Sequence, residues 1–127
     1  MNCGIAVDTS SGRELVRSIL NDLCQEIWEA GDSDSAIVMA LRHRPDLLIV
    51  EVGLCAIDGV KIAAEVRGAG TLATTKIIAF TGSLGETHQS LLIEGLVDRL
   101  LVKPIRAAIL RAAIAELIAS QNGRYAS

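Results

Sequence analysis

Near the middle of the chain, Leu47-Leu48-Ile49-Val50-Glu51-Val52 carries apolar side chains at five of six positions, on both faces of any strand it could form. A strand with one wet face alternates apolar and polar residues. A run without alternation predicts a strand from Leu47 to Val52 that is covered on both sides, the mark of a parallel sheet between layers of helix. Parallel strands need long crossovers, most often helical, so strands and helices should alternate along the rest of the chain.

They do. Ile5-Ala6-Val7 reads as a short strand closed by Asp8, and Leu15, Val16, Ile19, Leu20 and Leu23 then recur at helical spacing. Gln25 to Ala30 is a second, weaker strand. Gly31-Asp32-Ser33 supplies a turn and an N-cap for a helix carrying Ala36, Ile37, Ala40 and Leu41, which Pro45 stops. A third helix starts near Asp58, with Ile62, Ala63 and Val66 inward, and ends around Gly68 or Gly70. Lys76 to Thr81 is a fourth strand. A short helix from about Glu86 to Glu94 closes at Gly95 as a C-cap glycine, and Arg99 to Val102 is a fifth strand. Pro104 opens a final helix with Ile105, Ile109, Leu110, Ala113, Ile114, Leu117 and Ile118 on its apolar side. Asn122-Gly123 is expected to end it.

This pattern predicts one α/β domain over residues 1–121, with 122–127 as a frayed tail. Half of the 127 residues are hydrophobic, and Trp28, Phe80 and Tyr125 are the aromatics, so the core must be built from Leu, Ile, Val and Ala. A net charge of −3 offers no basic field for nucleic acid or an anionic membrane. No apolar run approaches the ~20 residues that span a bilayer, and the N-terminus has no signal-peptide pattern. Cys3, Cys24 and Cys55 lack metal-ligand spacing and are odd in number, which points to reduced thiols in the cytoplasm instead of a disulfide framework.

In an open parallel sheet, ligands bind outside the carboxyl ends of the strands. Just past those ends stand Asp8 and Thr9, Glu51 to Gly53, Thr81 and Gly82, and Lys103 and Pro104. Carboxylates, a hydroxyl and an ammonium therefore share one crevice. Glu51 and Lys103 should lie within roughly 6 Å of each other there, as an ion pair, beside Asp8 and Thr81. Asp8 reads equally as a cap for the first helix and as a metal ligand, and Thr9 as an ordinary loop residue. His43 and His88 read as surface residues, and Cys55 as an inert thiol.

Taken in order, Pro45 to Glu51, Asp58-Gly59, Ile77 to Gly82 and Leu100 to Pro104 resemble the receiver domain of two-component response regulators. The resemblance implies a flavodoxin-like three-layer α/β/α sandwich with a five-stranded parallel sheet in the order 2-1-3-4-5. It also implies that Glu51 occupies the phospho-acceptor position, normally an aspartate. Asp8, Glu51 and the Gly53 carbonyl would stand where Mg²⁺ is held, and Thr81 and Lys103 where the phosphoryl group is bonded. Leu100 falls at the place of the aromatic switch, and Cys55 at that of a loop proline.

The departures point to a pseudo-receiver. Thr9 replaces a carboxylate of the acidic pair, and a neutral hydroxyl is a poor ligand for Mg²⁺. Glu51 is longer by one methylene, which moves its oxygens by roughly 1–1.5 Å and spoils in-line attack. The expected role is a cytoplasmic, non-enzymatic signalling domain with no catalytic residues and no required cofactor beyond weak Mg²⁺. Its partner would be a histidine kinase, a phosphotransferase or an output protein. Ala107, Ala108, Ala112, Ala115 and Ala119 give the final helix a smooth face that could pair with a second copy. With nothing after Ser127, no DNA-binding or cyclase output is expected. The alternative is a functional phospho-accepting response regulator using Glu51 and Mg²⁺. A third reading, an unrelated flavodoxin-like enzyme, lacks Gly-rich phosphate loops and nucleophile–base pairs.

Overall fold

The computed structural model describes residues 1–52, 57–82 and 95–126, with 120–126 as helix backbone only. In chain order the elements are β1 (Asn2–Ala6), α1 (Ser10–Leu20), β2 (Glu26–Ala30), α2 (Ser33–His43), β3 (Leu47–Val52), α3 (Gly59–Gly68), a 3-10 turn (Gly70–Leu72), β4 (Lys76–Thr81), β5 (Arg99–Val102) and α4 (Ala107–Ala126). The five strands form one sheet in the order β2-β1-β3-β4-β5. Every neighbouring pair is parallel.

The unbroken apolar run is β3, and the sheet is built around it. Its side chains alternate between two cores. Leu47 and Ile49 join Ile5, Val16, Leu20, Phe80, Leu110 and Leu117 under α1 and α4. Leu48, Val50 and Val52 join Ile62, Val66, Ile77 and Ala79 under α2 and α3. Burying one such aliphatic side chain is worth about 1.5–3 kcal/mol, so a polar residue at Leu48 or Ile49 would strike at one of the two layers directly.

The ends of the helices are set by short polar side chains. Thr9, not Asp8, caps α1: its Oγ1 accepts a hydrogen bond from the Gly12 N–H at 3.1 Å. Asp32 caps α2 by accepting from the Ser35 N–H at 2.8 Å, and Asp58 caps α3 by accepting from the Val60 and Lys61 N–H groups. Helix α2 closes on Arg44 at φ 49°, a left-handed conformation. Pro45 disfavours the right-handed helical region for the residue before it, so the helix cannot continue. Gly95 has φ 74°, the conformation wanted at a C-cap, although the helix expected over Glu86 to Glu94 lies outside the described residues, as do Cys55 and His88.

Several expectations are corrected. Strand β1 is Asn2–Ala6, starting three residues before the apolar triplet; Val7 lies past its end, tied by its N–H to the Ala30 carbonyl. Leu15, Ile109 and Ile118 are exposed because they sit at the margins of their helices' apolar stripes, and Leu41 is exposed on the outer side of α2, away from the buried Ala36 and Ala40. Helix α4 runs through Asn122 and Gly123 to Ala126; a glycine inside a helix costs only about 1 kcal/mol and need not stop it. Among the described residues no helix is long and apolar enough to cross a membrane.

The thiols also differ from expectation. Cys3 and Cys24 form a disulfide across 21 residues of sequence, with Cα atoms 6.2 Å apart. The chain leaving α1 turns back along β1, where the Gln25 N–H bonds the Met1 carbonyl and Cys3 lies opposite Ile27. That return brings Cys24 within bridging distance of the fully buried Cys3. The sequence argument for a reducing compartment therefore falls away. Alkylation of the denatured, unreduced protein is expected to modify one cysteine, Cys55, and all three after reduction. Removing the bridge as Cys3→Ala with Cys24→Ala should cost about 3 kcal/mol by the loop-entropy account; three reactive thiols before reduction would contradict the bridge.

Candidate functional site

Strand register places the site. Glu51 is the penultimate residue of β3 and lies opposite Phe80; Val52 lies opposite Thr81, and Thr81 opposite Val102. The carboxyl ends of β3, β4 and β5 are therefore level, and the residues at and just beyond them share one rim. Asp8 arrives from the other side, two residues past β1.

The Glu51 side chain is 13% exposed and has both oxygens engaged. The Asp8 N–H donates to its Oε1 at 2.9 Å. The Lys103 ammonium donates to Oε2 in a direct ion pair. Burial works against the charge on this carboxylate, but the Lys103 hydrogen bond, the Asp8 N–H and the nearby positive charge outweigh it and hold Glu51 below the ordinary glutamate range. Lys103 is fixed by its backbone, since its N–H bonds the Thr81 carbonyl at 2.8 Å.

Of the residues singled out in the sequence, Asp8, Glu51, Thr81 and Lys103 meet at this rim. Thr81 is completely buried. Leu100 is half-buried on β5, opposite Ala79, and packs into the α2–α3 core. Strand alternation puts Thr81 on the same face as Ala79, so Leu100 sits below the threonine. Gly53 lies outside the described residues.

One participant was missed. The Arg13 guanidinium donates to the carbonyls of Val7 at 2.7 Å and Asp8 at 3.0 Å, pinning the loop whose N–H reaches Glu51. In sequence it was one more polar residue on the outer face of α1. Gly59 serves the site by close packing: a Cβ there would lie 2.7 Å from the Glu51 carbonyl oxygen. Any larger residue would push on the backbone that carries the acid.

Among the described residues, the donor set as arranged does not fit Mg²⁺. That ion needs several free, preferably anionic, oxygens in near-octahedral array. Glu51 has given its oxygens to an ammonium and an amide, and Thr9 has given its hydroxyl oxygen to a helix cap. Among the described residues no three His, Cys, Asp or Glu side chains converge to hold a metal.

The lowered Glu51 pKa fixes the sign of a pH effect. Above the unfolded value of about 4.3 both states are ionised and the native contacts contribute in full; the contribution is lost as pH falls through the lower folded pKa. The stability advantage of wild type over Glu51→Gln in urea titrations should therefore shrink on acidification through that window. An advantage that stays constant or grows would contradict the arrangement.

Comparison with known proteins agrees with this geometry. The chain matches the response regulator receiver domain over residues 5–115. The cyclic di-GMP phosphodiesterase response regulator RpfG of Xanthomonas campestris pv. campestris is 29% identical over 120 residues, which is 93% of this chain and 32% of that protein. The chain thus spans about a third of that relative's length. The REC domain of AraT, a response regulator from Geobacillus stearothermophilus, superposes with a TM-score of 0.77 at 28% identity, over 98% of this chain and 97% of that one. The receiver domain of the sensor histidine kinase PA1611 from Pseudomonas aeruginosa, solved with magnesium in its active-site cleft, gives a TM-score of 0.79 at 20% identity, over 93% and 97%. A family match of this span, carried on this strand order, makes the chain a member of the response regulator receiver domain family.

Proposed function

We propose that this receiver works in two-component signalling through protein contacts, with its acceptor crevice held in one charge-compensated state instead of being cycled by phosphorylation. The observation that carries the reading is the double engagement of Glu51 by Lys103 and the Asp8 N–H. In a working receiver the lysine is kept for the incoming phosphoryl group. Here the longer acid reaches into that space and takes the lysine itself, so a negative group already stands where the modified state would place one. Leu100 in the switch position supports the same reading, since it has no ring or hydroxyl to rotate toward Thr81.

Any metal binding is then weak, and no cofactor is required for folding or contact. The partner belongs to the set that receivers serve: a histidine kinase, a phosphotransferase or an output protein. The contact face proposed for it is the outer side of α4 and β5. There Ala107, Ala108, Ala112, Ala115 and Ala119 are all exposed, beside the exposed Ile109 and Val102. Alanines let another surface approach closely while ordering little side-chain entropy. The same face would serve a second copy.

Titration with Mg²⁺ followed through the amides of Asp8 and Glu51 tests the reading. No saturable shift is expected at sub-millimolar metal, and no phosphoryl adduct by mass after treatment with acetyl phosphate. Thr9→Asp combined with Glu51→Asp should regain metal affinity and some adduct, because it restores two carboxylates of the right length. Sub-millimolar binding by the wild type, or an adduct on Glu51, would establish the phospho-accepting alternative.

A further inference from the structure

At the sheet edge remote from α4, a groove of about 440 Å³ runs between β2 and α2. Its floor holds Trp28, whose ring stacks on His43 with centroids 4.3 Å apart and planes 8° from parallel. Its outer wall is a stripe on α2. Asp34, Ser35, Val38, Leu41 and Arg42 are all exposed, Val38 to 60%. On a 3.6-residue helix these positions fall within an arc of about 120°, opposite the buried Ala36 and Ala40.

The charges on this stripe are arranged in a particular way. Asp34 and Arg42 lie about 12 Å apart along the helix, and Val38 is midway between them in sequence. A two-fold axis through Val38 would set α2 antiparallel against its copy. Each Asp34 would then face the partner's Arg42, and Val38 would face the partner's Val38. The pattern is self-complementary under that one operation, as an isologous contact requires. Arg42 makes no ion pair with a described residue. Among the described residues Asp34 is engaged only by Lys61 at 3.2 Å, an exposed pair worth little and readily exchanged.

We propose that the α2 stripe is a self-association surface whose occupant is a second copy of this chain, docked antiparallel about Val38. This contact lies away from the rim that holds Glu51 and on the edge opposite α4 and β5, so it stands or falls independently of the function proposed above. An 11-residue helix covers less than the ~1,200 Å² usual for a stable complex. The dimer is therefore weak and builds up only at high protein concentration.

Sedimentation velocity over a concentration series tests it, with the emission of Trp28, the single tryptophan, as a reporter inside the groove. Wild type should pass from monomer to dimer, with a matching change in emission. Asp34→Arg alone and Arg42→Asp alone each break both symmetric ion pairs and create two repulsions, so each should weaken association by at least about tenfold. An equimolar mixture of the two single variants should associate again, and so should one chain carrying both changes. Thermal melts verify that each variant folds. Should either charge variant fail to fold, Val38→Lys, at the exposed centre, must abolish the dimer in its place. Glu14→Lys, on the exposed face of α1 and outside both contact faces, should leave this association unchanged. A monomer at every concentration would overturn the proposal, as would association insensitive to the single changes or not rescued by their combination.

Discussion

A carboxylate at the end of a strand covered on both faces must find its compensation at the sheet rim, because the layers above and below offer only aliphatic carbon. Glu51 is in that position. The sheet meets the demand from two sides: the turn after β1 supplies the Asp8 N–H, and the turn after β5 supplies the Lys103 ammonium. Much of the local structure follows from keeping those two donors aimed. Arg13 holds the carbonyls of the first turn, Thr9 starts α1 immediately beyond it, and the Lys103 N–H is tied to β4. Gly59 keeps α3 clear of the backbone that carries the acid.

On the function proposed, the same rim would let a receiver scaffold be kept while its chemistry is set aside. A phosphorylated receiver gains stabilising contacts when a lysine and a hydroxyl close on a new anion. In this chain the lysine has an anion built in, and the threonine is buried beside it. A signalling partner would meet a surface with one resting state. Exposed alanines on α4 and the charged stripe on α2 lie on opposite edges of the sheet, so one copy could present both faces at once.

How much of this was legible in the sequence depended on whether the signal was local. Strands β3, β4 and β5 matched their apolar runs residue for residue; burial on both faces leaves β3 and β4 no alternative pattern, while β5, at the sheet edge, is only partly buried. Strand order was not readable from periodicity and came from the resemblance alone. Strand β1 was misplaced because Asn2 and Gly4 do not look apolar, although the ladder with β2 and β3 includes them. The meeting of Asp8, Glu51, Thr81 and Lys103 was readable, because all four follow strand ends and parallel strands end together. The Cys3–Cys24 bridge and the Trp28–His43 stack were not, since each joins residues 21 and 15 positions apart through a turn whose direction only the fold fixes. Arg13 was hidden for a related reason: its backbone carbonyl partners carry no signature in sequence.

The central claim is that the Glu51–Lys103 pair occupies the acceptor crevice as a resting state. The most direct measurement is NMR of the Lys103 ammonium at neutral pH, looking for scalar coupling from Nζ across the hydrogen bond to the Glu51 side-chain carboxyl carbon. The account requires that coupling in the wild type, its persistence when Mg²⁺ is added at millimolar concentration, and its loss in Glu51→Gln. A Lys103 ammonium exchanging freely with water and uncoupled to Glu51, or a coupling that Mg²⁺ abolishes, would contradict it.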